Sequence, residues 1–232
     1  MKKTIVTTSW DDGHVLDVKL SELLRKYEIK GTFYISPEDR EFPIQDRLTN
    51  QQIVTLAQDF EIGAHTMTHP DLTKLSDEDA RKEIDDSKEY LEKIVQTPIS
   101  SFCYPSGFWE KRHENMVQEA GFTLARTVKR FATAIGSDVY ALPTTIHAYR
   151  HWSDALPILK EVGVRRFFKS YLNWDYLAIV LFEKTRSEGG VFHLWGHSWE
   201  IEKNNDWERL ENVLQYISKR EGVRYLTNQE LV

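Results

Sequence analysis

Short β-branched segments and amphipathic segments alternate from one end of the chain to the other, and this order restricts the fold more than any other feature. Residues 4–10 are β-branched and read as a strand. Residues 15–27 place Val15, Val18, Leu20, Leu23, Leu24 and Tyr27 at helical spacing. Further strand-like runs lie at 31–36, 61–65, 100–104, 123–128, 190–195 and 223–226, with an extended segment at 140–149. Helical runs separate them. One is N-capped by Asn50 and reaches Phe60, and a second, opened by a capping box of Ser76 and Asp79, runs to about 96. Others lie at 111–120, 152–162, 167–186 and 207–220. Strand–helix alternation of this kind predicts a parallel sheet with helices outside it. Seven or eight such units predict an α/β fold, a closed or nearly closed barrel, in a single domain spanning 1–232.

The chain of 232 residues is 41% hydrophobic, enough to build a sizeable core without disulfides. The single cysteine, Cys103, has no internal partner, which is compatible with a reducing compartment. A net charge of -6 argues against nucleic acid, because phosphate binding needs a basic face. No run approaches the roughly 18 apolar residues of a membrane span, and the apolar run after Met1 is too short for a signal peptide. The expectation is a cytoplasmic protein with neither a nucleic-acid nor a membrane partner.

In β/α barrels the active site lies at the C-terminal ends of the strands. Polar residues of this sequence gather there. Asp11-Asp12-Gly13-His14 closes the first strand, and adjacent carboxylates are costly unless something uses them. A bland alternative is that one of them caps the following helix. His65-Thr66-Met67-Thr68-His69-Pro70 closes the third strand, and a loop there can turn both imidazoles toward one ion. Two histidines and one carboxylate leave coordination positions open, the arrangement of a catalytic rather than a structural divalent site.

At these residues the sequence resembles the polysaccharide deacetylase family, the chitooligosaccharide-deacetylase homology domain (carbohydrate esterase family four). Thr8-Ser9-Trp10-Asp11-Asp12-Gly13 is similar to its first motif, and His65-Thr66-Met67-Thr68-His69 to its second. Phe102-Cys103-Tyr104-Pro105-Ser106-Gly107 resembles the third, Arg-x-Pro-Tyr-Gly, keeping the Pro and Gly. The segment from Gly190 to His197 resembles the last. The resemblance implies a distorted barrel of about seven β/α units. It implies metal ligation by Asp12, His65 and His69, with zinc first and cobalt, nickel or iron as alternatives. It also implies Asp11 as general base, the Ser106 amide as oxyanion donor, and a histidine of the last motif as general acid. His197, at the strand end, is preferred over His193 inside the strand, and Glu200 either orients His197 or is a solvated acid.

The sequence departs from the family where Cys103 replaces the arginine that pairs with the base. Arg126, at a neighbouring strand end, is expected to substitute, and an inward Arg126 requires an acidic partner. His14, Tyr104, Pro105, Trp195 and Trp199 are expected to contact substrate. Trp109 and Trp174 are further candidates for stacking on sugar rings. His147 and His151 match no catalytic position and read as structural. The implied activity is removal of N-acetyl groups from a small saccharide, oligosaccharide or conjugate, with O-acetyl ester cleavage as a side possibility. Hydrolysis of another C–N bond, in a ureide or cyclic amide, is one alternative, and a non-catalytic metal-dependent carbohydrate-binding protein is another.

Overall fold

The structure, a computed structural model, describes residues 3–134 and 136–232. Met1, Lys2 and Ile135 of the expected 1–232 domain lie outside the described residues. Among the described residues are eight parallel strands and nine α-helices: β1 (Thr4–Trp10), α1 (Asp17–Lys26), β2 (Thr32–Ile35), α2 (Asn50–Leu56), β3 (Glu61–Ala64), α3 (Asp77–Val95), β4 (Ser101–Cys103), α4 (Lys111–Glu119), β5 (Leu124–Arg126), β6 (Ile146–His147), α5 (Ala155–Val162), α6 (Val164–Leu172), α7 (Trp174–Glu188), β7 (Gly190–Gly196), α8 (Ser198–Lys203), α9 (Trp207–Ile217) and β8 (Val223–Tyr225).

The strands run in the order β5-β4-β3-β2-β1-β7-β6. β7 pairs with β1 along its whole length. On the other side of β1, β8 takes Thr4–Val6, while Ser9 and Trp10 pair with Thr32 and Phe33 of β2. The seam between β5 and β7 is crossed by one irregular segment. Leu142 exchanges backbone hydrogen bonds with Ala125 and Thr127, and farther along Thr145 and Ala148 donate to His193 and Trp195 of β7. The result is a distorted (β/α)7-type barrel, as expected.

Burial explains why the strands are short and apolar. All four residues of β2 are buried, and Phe33 meets Phe60 edge-on with ring centroids 5.4 Å apart. Helices cover the outside with amphipathic faces: Leu20 and Leu24 of α1 and Ile84 and Leu91 of α3 are completely buried. Truncating such a leucine to alanine costs about 2–5 kcal/mol. The barrel floor is tied by Asn228, whose backbone N–H donates to Thr32 and whose side chain accepts from Thr7 and donates to Tyr34. No helix among the described residues is long and apolar enough to cross a membrane.

Three local expectations are corrected. The N-cap of α2 is Thr49, not Asn50. Thr49 and Gln52 form a reciprocal capping box, which Asn50 has no glutamate or glutamine placed to close. The run read as one helix over 167–186 is α6 and α7, separated at Asn173, whose backbone is extended (φ -133°, ψ 103°). The Ser76 cap is present, but Asp79 accepts from the Ser76 hydroxyl, so this is an ordinary N-cap with a side-chain bond rather than a full capping box.

Candidate active site

The ends of β1, β3, β4, β5 and β7 converge on one cleft of about 320 Å³, lined by Asp11, Asp12, Glu41, His65, His69, Ser106, Val128, Arg130, His151, Trp195, His197 and Trp199. A larger groove of about 460 Å³ beside Thr4, Glu183 and Val223 lies at the opposite end of β1 and gathers no histidine. Chemistry rather than size selects the site.

The chain leaves β1 through strained backbone. Asp12 adopts φ 81° and Gly13 φ 77°. A Cβ on Gly13 would come within 2.7 Å of the Ile35 side chain, so the turn needs glycine twice over. Thr66, His69 and Ser106 also adopt positive φ, so four of the nine non-glycine residues in that region, among the described residues, sit in cleft loops. Left-handed backbone at non-glycine residues costs roughly 1–3 kcal/mol each and clusters at functional sites.

That turn places Asp12 between two imidazoles. Its Oδ1 lies 3.6 Å from His65 Nε2 and 3.4 Å from His69 Nε2, buried and without a hydrogen-bond partner among the described residues. Each ring is aimed from behind: His65 Nδ1 lies 2.7 Å from the carbonyl of Cys103, and His69 Nδ1 lies 3.1 Å from Glu41. An orphaned buried carboxylate oxygen facing two oriented imidazole nitrogens fits a divalent ion, and N/N/O donors suit zinc without excluding neighbouring metals. The other carboxylate oxygen accepts from Trp199 Nε1 at 2.8 Å. Burial alone would raise the Asp12 pKa, but His197, His65 and His69 outweigh it and hold the carboxyl far below its ordinary range.

Asp11 points to the other side of the turn. Arg126, completely buried, donates to its Oδ1 through Nη2, and the Cys103 thiol lies 3.8 Å from its Oδ2. The register explains the arrangement: Cys103 and Arg126 are paired neighbours on β4 and β5, so a guanidinium one strand over reaches the carboxylate that Cys103 cannot pair with. The rings of Tyr34 and Trp195 lie 5.2 and 4.9 Å from the guanidinium carbon, which offsets part of its desolvation. Burial raises the Cys103 pKa and keeps the thiol neutral.

Across the cleft, His197 Nε2 lies 3.9 Å from Asp12 Oδ2. Its Nδ1 meets Glu200 at 2.5 Å, one turn into α8. Burial works against protonation of His197, but Asp12 and Glu200 outweigh it and push its pKa up to about 9. His193 lies inside β7, pairs with the Ser9 hydroxyl at 2.8 Å and is held well below its usual pKa by burial and by Arg126.

Several residues differ from expectation. Tyr104 is completely buried, stacked on Trp109 and donating to the carbonyl of Tyr140; neither it nor Pro105 lines the cleft. Side chains alternate along β4, so turning Cys103 toward Asp11 sends Phe102 and Tyr104 to the opposite face. His14 accepts from the Leu16 N–H and packs edge-on against Phe42, outside the cleft. Trp174 is buried and donates to Asp206, whereas Trp195 and Trp199 line the cleft. His151, read as structural, lines the cleft, and His147 is buried beside it. His147 stacks on Trp195 with centroids 3.8 Å apart, lies 3.0 Å from Glu200 and meets His151 at 2.8 Å. Burial lowers the His147 pKa to about 4. One signal for this pair was in the sequence, because His147 and His151 repeat the four-residue spacing of His65 and His69.

Comparison with known proteins agrees with this fold. The family model for polysaccharide deacetylase matches residues 1–125. A peptidoglycan-N-acetylglucosamine deacetylase of Bacillus cereus is 31% identical over 122 residues, covering 51% of this chain and 54% of that protein. The chain spans about half the length of the curated relatives it matches. Among solved structures, a Mycobacterium smegmatis protein assigned to the polysaccharide deacetylases superposes with a TM-score of 0.73 at 14% identity, covering 99% of this chain and 89% of that one. A CE4 family pseudoenzyme from Bacillus anthracis gives 0.62 at 14% identity, covering 99% and 65%, so the fold is shared by proteins with and without activity. With the family model matched across more than half of its length, this chain belongs to the polysaccharide deacetylase family.

Proposed function

We propose that residues 1–232 form one catalytic domain that hydrolyses the N-acetyl group of an N-acetylated sugar or saccharide conjugate with the help of one divalent ion, zinc first among the candidates. The observation that carries this reading is the set of Asp12, His65 and His69 around an orphaned carboxylate oxygen, with Asp11 beside it and His197 opposite. The 31% identity to a peptidoglycan-N-acetylglucosamine deacetylase supports an N-acetylhexosamine as substrate.

Asp12, His65 and His69 would hold the ion. Bound there, it supplies polarisation of the acetyl carbonyl and acidification of a water molecule. Asp11, which lines the cleft, accepts the proton of the attacking water while Arg126 holds its Oδ1 and the Cys103 thiol faces its Oδ2. The Ser106 N–H, at the cleft wall, donates to the developing oxyanion. His197, oriented by Glu200, returns a proton to the leaving amine. Trp195 and Trp199 offer aromatic surface to the sugar ring.

The test is acetate release from a panel of N-acetylated mono- and oligosaccharides by the metal-loaded protein, with Asp11→Asn and a chelator as controls. Release that disappears in both controls is the expected result. One equivalent of bound metal without release from any sugar overturns the reading. The cleft volume of about 320 Å³ lies at the small end for ligand sites and favours a second reading in that event, hydrolysis of a small ureide or cyclic amide.

A further inference from the structure

Beyond the cleft, the molecule carries one surface that its own fold does not use. Helices α5 and α6 form a hairpin joined at Gly163, and its outer side is apolar. Leu156 is 75%, Val164 76%, Phe168 72% and Leu172 49% exposed, and Trp152, just before α5, is 65% exposed. Val164, Phe168 and Leu172 recur every fourth residue and make one continuous stripe along α6. Phe167, Ser170 and Tyr171 of the same helix turn inward. Scattered apolar residues on a surface need no account, but a contiguous set of this kind marks an interaction site.

Charge decides what the surface fits. The whole chain carries a net charge of -6. The segment 150–172 reverses that sign: it holds Arg150, Lys160, Arg165, Arg166 and Lys169 against Asp154 and Glu161. Both acids are already neutralised from outside the segment, Asp154 by Arg130 at 2.7 Å and Glu161 by Lys184 at 2.5 Å. None of the five cations has a carboxylate at ion-pair distance among the described residues. Arg150 lies 3.4 Å over the ring of Trp152, and Lys169 lies 4.2 Å over that of Tyr176.

We propose that the α5–α6 hairpin docks this protein on an anionic lipid surface, with Trp152, Leu156, Val164, Phe168 and Leu172 entering the headgroup boundary and the five cations meeting lipid phosphates. An amphipathic helix with bulky apolar side chains on one face and Lys or Arg on the other has this mode of binding. Polybasic segments add to it through the negative potential of the leaflet. A second copy of the chain is disfavoured by the same charges, since a two-fold contact lays each patch on its own replica and brings like cations together. The hairpin also borders the cleft: His151 lines it and Trp152 follows directly. Docking therefore brings the mouth near the headgroups, although the proposal stands on the surface alone and does not depend on the reaction.

Sedimentation of the full chain with vesicles tests this. Vesicles of phosphatidylcholine with one-third phosphatidylglycerol should bind it at low salt, and vesicles of phosphatidylcholine alone should not. The Arg165→Glu, Arg166→Glu double variant should weaken binding by roughly 30-fold or more. Phe168→Ser should weaken it at every salt concentration, whereas 0.5 M salt should act mainly through the cations. The far-ultraviolet circular dichroism spectrum and the urea unfolding midpoint are the reference for an intact fold in each variant. Equal binding to both vesicle types, or binding to neither, overturns the proposal. So does concentration-dependent dimerisation in sedimentation velocity that Phe168→Ser abolishes, which would assign the face to a second copy.

Discussion

Arg126 and Arg165 are the same residue type in opposite circumstances. Arg126 is completely buried, pairs with Asp11 and lies between two aromatic rings. Arg165 is exposed on α6 with no carboxylate at ion-pair distance among the described residues, beside apolar side chains that are exposed too. At the cleft, Asp11 answers Arg126 and Glu200 answers His197, while Asp12 Oδ1 is left facing two imidazoles. On the hairpin, charge and apolar surface are both left unanswered. The contrast teaches that buried ions are retained where their mutual geometry is used, while exposed cations beside apolar groups are held for something outside the chain.

The largest effect should come from the cleft. Asp11→Asn should lower kcat for acetate release by about 10²- to 10⁴-fold, the range for loss of a positioned general base. Bound metal, measured by elemental analysis, should stay at one equivalent, because Asp12, His65 and His69 converge without Asp11, whose own grouping with His65 and Cys103 shares only one of those donors. Metal loss along with activity would instead make Asp11 a ligand and undo the division of labour between the two aspartates.

Next in size is the ion pair itself. Arg126→Met should destabilise the fold by about 3–5 kcal/mol in urea unfolding, since it leaves a buried carboxylate unpaired. Adding Asp11→Asn to that variant should recover much of the loss, because the uncompensated charge is gone. Additive losses in the double variant would show that the two side chains do not act as a pair.

A smaller effect tests the other wall of the cleft. His197 is a proton donor only while protonated, so its contribution is present below its pKa of about 9 and fades as pH rises through that value. Asp12 and Glu200 hold that proton on, and Glu200→Gln removes one of them. The basic limb of the kcat profile should therefore move to lower pH, with the acid limb unchanged. An unmoved basic limb would remove Glu200 from any role in setting His197.

The smallest change is expected on the hairpin. Phe168→Ser should alter the unfolding free energy by no more than about 0.5 kcal/mol, as for other exposed positions without structural partners. A loss of several kcal/mol would mean that α6 packs on the molecule more tightly than its exposed stripe allows.

Much of this was legible beforehand for physical reasons. Strand and helix periods are local, so the alternation of β1 through β8 and the gathering of Asp11, Asp12, His65 and His69 at strand ends could be read directly. What depended on pairing between strands could not. One pairing is the exception: the arginine missing at Cys103 pointed to Arg126 at a neighbouring strand end, and Arg126 does meet Asp11. Tyr104 adjoins the motif in sequence, but the two-residue alternation of a strand turns it away from the face that Cys103 takes. The break at Asn173 left no glycine or proline to announce it, and the apolar spacing continues across it. α8 has six residues, too few for a periodic signal, and yet it carries Glu200 to His197.

The placement of β1 also sets an order in time. Ile5 lies in register with Val191 on one side and Arg224 on the other, so the first strand of the barrel is completed by two of its latest segments. While a ribosome is still producing the chain, β1 has only the short contact with β2 available and otherwise presents open hydrogen-bonding edges. Contacts so distant in sequence slow folding, and a β-branched strand kept waiting is a template for mispairing between chains. Yield during expression should therefore respond to temperature and chaperone supply, through the interval between the emergence of β1 and the arrival of β7.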